Sequence, residues 1–254
     1  TNAIEKALAN FRANNGHLEI TALSEIIEYH ENIMTDLFEG NTSHPIFETM
    51  TNLFLDLYLN LQETGFDYDY QYDNTVSFGE MLSTTLISAY LNECGIRNEL
   101  IDARDYIVTD HGFRSANPEW DDCRLRIEKL KSNESVMYIT QGFIASSVSP
   151  KTTTTLGREG SDFSAAIFAN CLDAEELTIW KDVDGLRNAD PKRFADTKKI
   201  SHLSYFEAIE LAFYGASVIH PKTLKPLQNK NIPLKVRSFL DIGLEPTIID
   251  GTKD

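Results

Sequence analysis

Four stretches of the 254-residue chain hold side chains whose types and spacing suit the handling of anions and amines. Residues 152–162 read TTTTLGREGSD, a β-prone run entering a glycine-bracketed turn that opens a helix at Ser161. Gly157 and Gly160 permit tight backbone geometry, and free N–H groups at the following helix start favour an anion. Arg158 adds a planar fork suited to a carboxylate or phosphate. The plainer reading is a strand-to-helix turn with Ser161 or Asp162 as N-cap and Arg158 in solvent. The stretch is not a Walker A loop, because no Lys follows the second glycine, and it does not match G-x-G-x-x-G.

Residues 180–192, WKDVDGLRNADPK, leave a strand for a turn-rich loop at what would be the strand's carboxyl end, where open parallel sheets bind ligands. Lys181, Arg187 and Lys192 could neutralise a polyphosphate, and Asp182 or Asp190 could hold ribose or act through Mg²⁺. Solvated Asp-Gly and Asp-Pro turns are the plainer alternative. Ser77-Phe-Gly-Glu80 reads as a capping box before an apolar helix, although a carboxylate at a helix start could also grip an ammonium group. In Gly215-Ala-Ser-Val-Ile-His-Pro221 one helix closes, a short strand follows, and Pro221 starts another helix. His220 there reads as a core or capping residue. The six histidines lack metal-ligand spacing, so no metal bound through protein imidazoles is expected. Cys94, Cys123 and Cys171 lie far apart and read as reduced, small buried hydrophobes.

These stretches need a scaffold. From Asn2 to about Phe66 apolar residues recur at helical spacing (Ile4, Leu8, Phe11; Leu23, Ile26, Ile27; Met50, Phe54, Leu57, Leu61), which predicts three amphipathic helices. Asp67 to Thr75 reads as a polar connector before a helix from about Phe78 to Cys94, stopped by Gly95. Beyond it, strand-like runs (136–139, 177–180, 232–236, 247–249) alternate with helical ones (117–131, 161–171, 204–214, 221–230), which argues for a parallel sheet with crossover helices. Asn117-Pro118 is expected to start the first of these, and Ser204-x-x-Glu207 to box the third. The expected organisation is one α/β domain over 1–254, with an acidic helical part at 1–96 and an alternating α/β nucleotide-binding part at 97–254. Residues 13–96 hold fourteen Asp or Glu and no Lys or Arg, within a net charge of −16. That field disfavours nucleic acid, and any phosphate must sit in the later part. No run reaches the roughly 18–20 apolar residues of a membrane helix, and no basic-then-apolar leader opens the chain, so no membrane partner and a cytoplasmic location are expected.

Taken in order, the four motifs resemble the catalytic domain of aspartokinases, in the amino-acid kinase family. The family pattern is S-F-G-E, T-T-L-G-R-G-G-S-D, W-[TK]-D-V-D-G with D-P-R following, and F-G-A-x-V-[LI]-H-P. The resemblance implies a three-layer α/β/α sandwich of the amino-acid kinase (carbamate kinase-like) type. It also implies phosphoryl transfer from Mg-ATP to the side-chain carboxylate of L-aspartate, in lysine, threonine and methionine synthesis. By resemblance Arg158 binds the substrate α-carboxylate, Glu80 its ammonium, and Ser161 also meets the substrate. Asp162 and Lys181 serve the catalytic centre, and Lys181, Asp182, Arg187, Asp190, Lys192 and Ser217 the nucleotide. ATP and Mg²⁺ are the implied cofactors, and a homo-oligomer the implied assembly of the full-length protein.

The chain departs from the pattern at several points. Glu159 replaces a glycine, Arg187 stands where many members have tyrosine, and Lys192 replaces arginine. Ser217 occupies a lysine position, while Lys181 replaces threonine, so Lys181 is expected to supply the charge that Ser217 lacks. No K-F-G-G segment precedes Thr1 and no ACT domains follow, so the chain is expected to be a truncated, weakly active or inactive catalytic domain. The alternatives are a glutamate or acetylglutamate kinase of the same fold and a non-catalytic nucleotide-binding relative. Glu80 beside Arg158 favours a free amino acid over an N-acylated one.

Overall fold

The structure, a computed structural model, describes residues 1–14, 20–133, 136–189, 193–194, 196–213 and 218–252. The chain divides into two compact units: Thr1–Asp122 with Ser132–Arg158, and Cys123–Lys131 with Glu159–Asp254.

The first unit starts with the three helices predicted from spacing, α1 (Asn2–Ala13), α2 (Ile20–Leu37) and α3 (Pro45–Leu61). Their periodic residues form one core: Ile4, Leu8, Leu23, Ile26, Met50, Phe54, Leu57 and Leu61 are all buried. Each such side chain contributes roughly 1.5–3 kcal/mol. The fourth helix, α4 (Tyr68–Glu93), corrects the expectation of a polar connector at 67–75. Asp67 caps it by accepting from the Asp69 amide at 2.9 Å. The polar side chains that follow are satisfied inside: Gln71 donates to the Glu63 carbonyl at 2.8 Å and Thr75 to Asn60 Oδ1 at 2.7 Å. Composition therefore read as loop what is a buried polar helix face. The end is as expected, with the Ile96 amide returning to the Leu91 carbonyl around Gly95.

After α4 come β1 (Asn98–Ile101), the short α5 (Ala103–Tyr106), β2 (Val108–Thr109), β3 (Met137–Thr140), β4 (Ile144–Ser147) and β5 (Thr153–Thr155). β1 pairs in parallel with β3, and β2 with β4, while β5 runs antiparallel to β4. The 117–131 helix starts later than expected, as α6 (Trp120–Ile127) continued by a 3-10 turn, Glu128–Asn133. Asn117 does not cap it. Its amide and side chain both bind Asp110, and Pro118 bridges to Thr109.

The second unit contains α7 (Gly160–Leu172), β6 (Leu177–Lys181), β7 (His202–Ser204), α8 (Tyr205–Phe213), α9 (Pro221–Gln228), β8 (Leu234–Ser238) and β9 (Thr247–Asp250). The Ser204–Glu207 capping box forms in both directions, at 2.7 and 3.1 Å. His220 caps α9, its Nδ1 accepting from the Lys222 amide at 3.1 Å. The sheet has strand order β6-β8-β9-β7 and is mixed rather than parallel, because β8 and β9 are antiparallel. The 239–246 connection explains this: it is shorter than the dozen or so residues a parallel crossover needs. Ile179, Leu203, Leu234, Val236 and Ile249 line one sheet face and pack with Ala166, Ala208, Leu224 and Leu227 of the helices.

Candidate active site

In the first unit the motif residues Ser77 and Glu80 lie well inside α4, which corrects their reading as a cap. Ser77 Oγ donates to the Asn74 carbonyl at 2.7 Å, three residues back in the helix. The Glu80 carboxylate, released from capping, accepts from Thr1 Oγ1 at 3.0 Å. Gly79 makes that contact possible. A Cβ there would meet the Thr1 hydroxyl at 2.6 Å and the Thr1 backbone nitrogen at 2.7 Å. A cavity of about 650 Å³ opens beside Glu80, walled by Thr1, Lys6 of α1, Glu25 and Tyr29 of α2, and Gly79. Sequence reasoning gave Thr1 and Gly79 no role of their own. The signal available was a glycine in an unbroken helix, which costs about 1 kcal/mol against alanine and so asks for a packing reason.

β5 delivers the chain to Gly157 and the exposed Arg158. Gly157 has φ +78, and a Cβ on it would meet Ser115 Oγ at 3.0 Å and the Arg114 carbonyl at 3.1 Å. The turn is thus held against the 110–117 loop, which Asp110 closes by accepting from the amides of Gly112 and Asn117, both at 3.0 Å. Beneath it lies Asp73 of α4, fully buried. Its Oδ2 accepts the amides of Arg114 and Thr155 at 2.9 Å each, and its Oδ1 the Thr155 hydroxyl at 2.8 Å. Burial pushes this carboxyl above the ordinary range, against the pull of those donors.

In the second unit α7 begins one residue before Ser161, so neither Ser161 nor Asp162 is the N-cap. The cap position belongs to Glu159, at φ 54, a left-handed conformation that favours glycine. The Glu159 Oε2 atom is buried without a hydrogen-bond partner among the described residues. Ser161 is exposed and Asp162 half-buried in the first turn of α7, where the helix dipole favours a carboxylate. Lys181, at the end of β6, reaches Asp162: Nζ to Oδ2 is 2.6 Å, with the side chains 25% and 13% exposed. The pair is therefore only partly screened by solvent. Asp182, the next residue, is exposed.

Arg187 is spent on its own loop. Its Nε and Nη2 clasp Asp184 at 3.2 and 2.8 Å, and Nη1 donates to the Thr197 carbonyl at 2.9 Å. These bonds hold the Asp184 carboxyl below its usual range. A hollow of about 420 Å³ opens in the same loop beside Asn188, Arg193, Phe194 and Thr197. Asn188 belongs to the loop that sequence reasoning assigned to the nucleotide, whereas Arg193, Phe194 and Thr197 were not singled out. Asp190, Lys192 and Ser217 lie outside the described residues. Among the described residues no three His, Cys, Asp or Glu side chains cluster as a metal cage. Isolated carboxylates such as Asp182 suit a Mg²⁺ ion that arrives on nucleotide phosphates and keeps most of its ligands from phosphate and water.

Residues 20–238 match the model of the amino acid kinase family. The chloroplastic bifunctional aspartokinase/homoserine dehydrogenase 2 of Zea mays is 32% identical over 90% of this chain and 25% of its own length. The aspartokinase of Chlamydia muridarum is 38% identical over 68% of this chain and 40% of its own. Among solved structures, E. coli aspartokinase III in complex with aspartate and ADP matches with a TM-score of 0.84 at 30% identity, covering 92% of this chain and 52% of that one. A carbamate kinase from Giardia lamblia shares the fold, with a TM-score of 0.51 at 12% identity. The chain thus spans about a quarter of the length of the maize relative and about half that of the E. coli structure. The α/β class expected from the sequence is the one these structures have. No described helix is long and apolar enough to cross a membrane.

Proposed function

This chain belongs to the amino acid kinase family, and we propose that it is the catalytic part of an aspartate kinase, moving the γ-phosphoryl of ATP to the side-chain carboxylate of L-aspartate. The observation that carries the reading is the Lys181–Asp162 pair: two motifs on consecutive elements, 19 residues apart, supply a cation and a carboxylate 2.6 Å from each other, between a strand end and a helix N-terminus. Two relatives above 30% identity carry aspartokinase names, and the E. coli structure holds aspartate and ADP.

The acceptor carboxylate is already ionised at neutral pH, so the protein has to position anions rather than supply a strong base. Arg158, exposed after the Gly157 turn, takes the α-carboxylate of the amino acid in a bidentate grip. Glu80 takes its ammonium, oriented by Thr1, and the Ser161 hydroxyl serves the same substrate. Lys181 stands at the transferring phosphoryl, where it stabilises charge that builds on the equatorial oxygens, and Asp162 fixes the ammonium of Lys181 in place. Asp182 and the Arg187 loop serve the nucleotide, a role the resemblance extends to Asp190, Lys192 and Ser217. Arg187 acts there through the loop it braces, because its own donors are engaged by Asp184 and Thr197. Asp182 would hold Mg²⁺ together with the nucleotide, and the ion would supply neutralisation of the phosphate charge. A reducing compartment such as the cytoplasm, and a homo-oligomeric protein, complete the proposal.

The test is ADP release by the full-length gene product with L-aspartate, L-glutamate or N-acetyl-L-glutamate as acceptor. L-Aspartate is expected to be preferred, and Lys181→Met to lower kcat by roughly 10²–10³. ATP binding without any amino-acid-dependent ADP release would favour a non-catalytic relative, and preference for the N-acylated acceptor would remove Glu80 from its role.

A further inference from the structure

Glu80 and Arg158 are carried by different elements of the first unit, α4 and the turn after β5, and a grip on both ends of one small amino acid requires the two elements to keep a fixed spacing. The contact that ties them is Asp73. It stands seven residues before Glu80 in α4, two helical turns away on the same face. Its carboxylate binds Thr155 through both the backbone amide (2.9 Å) and the hydroxyl (2.8 Å), three residues before Arg158. The same Oδ2 holds the Arg114 amide at 2.9 Å, in the loop against which Gly157 turns. One fully buried side chain thus joins α4, the last residue of β5 and the loop under the Gly157 turn.

We infer that Asp73 is a positioning residue which sets the separation of the ammonium and carboxylate grips, and with it the length of amino acid the protein accepts. The inference rests on the roles proposed above for Glu80 and Arg158. Asp73 touches no substrate and acts through β5 and the helix. A carboxylate suits the task because all three of its partners are donors, two of them backbone amides in fixed directions. Misplacement of a reacting group by about 1 Å costs on the order of 100-fold in rate, so a loosened β5 register is felt at the acceptor even where the fold survives.

The test uses the full-length gene product with Asp73→Ala, Asp73→Asn and Thr155→Val. Asp73→Ala is expected to raise KM for L-aspartate by roughly tenfold or more while KM for ATP stays within about twofold, and to lower the ratio of kcat/KM for L-aspartate to that for the longer L-glutamate. Asp73→Asn keeps one acceptor oxygen and should fall between Asp73→Ala and the wild type. Thr155→Val removes the hydroxyl alone and should shift the same two quantities in the same direction by less. If Asp73→Ala does not fold, these two variants decide. Unchanged aspartate KM and unchanged aspartate-to-glutamate ratio in folded variants would overturn the inference, as would equal losses for ATP, aspartate and glutamate, the mark of a merely structural role. Amide hydrogen exchange gives a readout independent of activity: the Thr155 and Arg114 amides should be protected in the wild type and exchange faster in Asp73→Ala. Fast exchange of both in the wild type would overturn the inference outright. An inactive wild type with both amides protected would instead refute the kinase reading.

Discussion

Glu159 carries a local cost that its neighbours do not offset. A non-glycine residue in the left-handed region costs roughly 1–2 kcal/mol, and part of this carboxylate is buried without a partner among the described residues. Glycine would remove both costs, less its own larger loss of chain entropy on folding. Glu159→Gly is therefore expected to stabilise the protein by about 1 kcal/mol, seen as a higher denaturant midpoint at unchanged slope. An equal or lower midpoint would mean that the side chain finds a favourable partner. At this scale the sequence was most informative where chemistry and spacing coincide. Arg158 and Lys181 stood out as cations beside a glycine turn and at a strand end, whereas the role of Asp162 entered only through the resemblance, its own spacing reading equally as a helix cap. Asp73 did not stand out, because its partners are backbone amides 41 and 82 residues away, which no local pattern encodes.

Among the elements, α4 and the 239–246 connection show what periodicity hides. The polar run 67–75 looked like a loop because its buried face is made of Gln71, Asp73 and Thr75, each satisfied by a partner from elsewhere in the unit. The antiparallel β8–β9 pair follows from a connection whose length could have been read but whose consequence for strand direction was not drawn. The amphipathic helices α1 to α3, by contrast, were legible because burial alone decides them. α4 also carries a sharp test. Gly79→Ala adds about 1 kcal/mol of helix propensity, yet its Cβ would stand 2.6 Å from the Thr1 hydroxyl. Because that Cβ would also stand 2.7 and 2.8 Å from the Thr1 backbone nitrogen and Cα, Thr1 must shift, and KM for L-aspartate should increase several-fold through loss of the Thr1–Glu80 bond. An unchanged KM would contradict that account of the glycine.

Over the whole molecule, four ordered motifs sufficed to identify the family, since helices, strands and turns must each recur in sequence for all four to appear together. The charge pattern supplied a second, independent constraint, with phosphate handling assigned to the part where cations occur. One consequence of charge is measurable in folding. Asp173 is hydrogen-bonded by Lys131 at 2.7 Å and by Lys230, which lowers its pKa to about 2. A depressed carboxylate contributes stability that is fully present above its unfolded value and is lost as pH falls through the folded one. The wild type should therefore lose this contribution between about pH 4 and pH 2, and Asp173→Asn should flatten that part of the stability profile, a difference that salt reduces because the site is exposed. Matching profiles for the two proteins would show the lysines to be idle. The most direct measurement of the central claim is hydroxylamine trapping with the full-length gene product, ATP and L-aspartate labelled with ¹⁸O in the side-chain carboxylate. Attack of hydroxylamine at the acyl carbon breaks the C–O bond, so the account predicts aspartyl hydroxamate together with phosphate that carries one labelled oxygen. ADP and unlabelled phosphate without hydroxamate would contradict it.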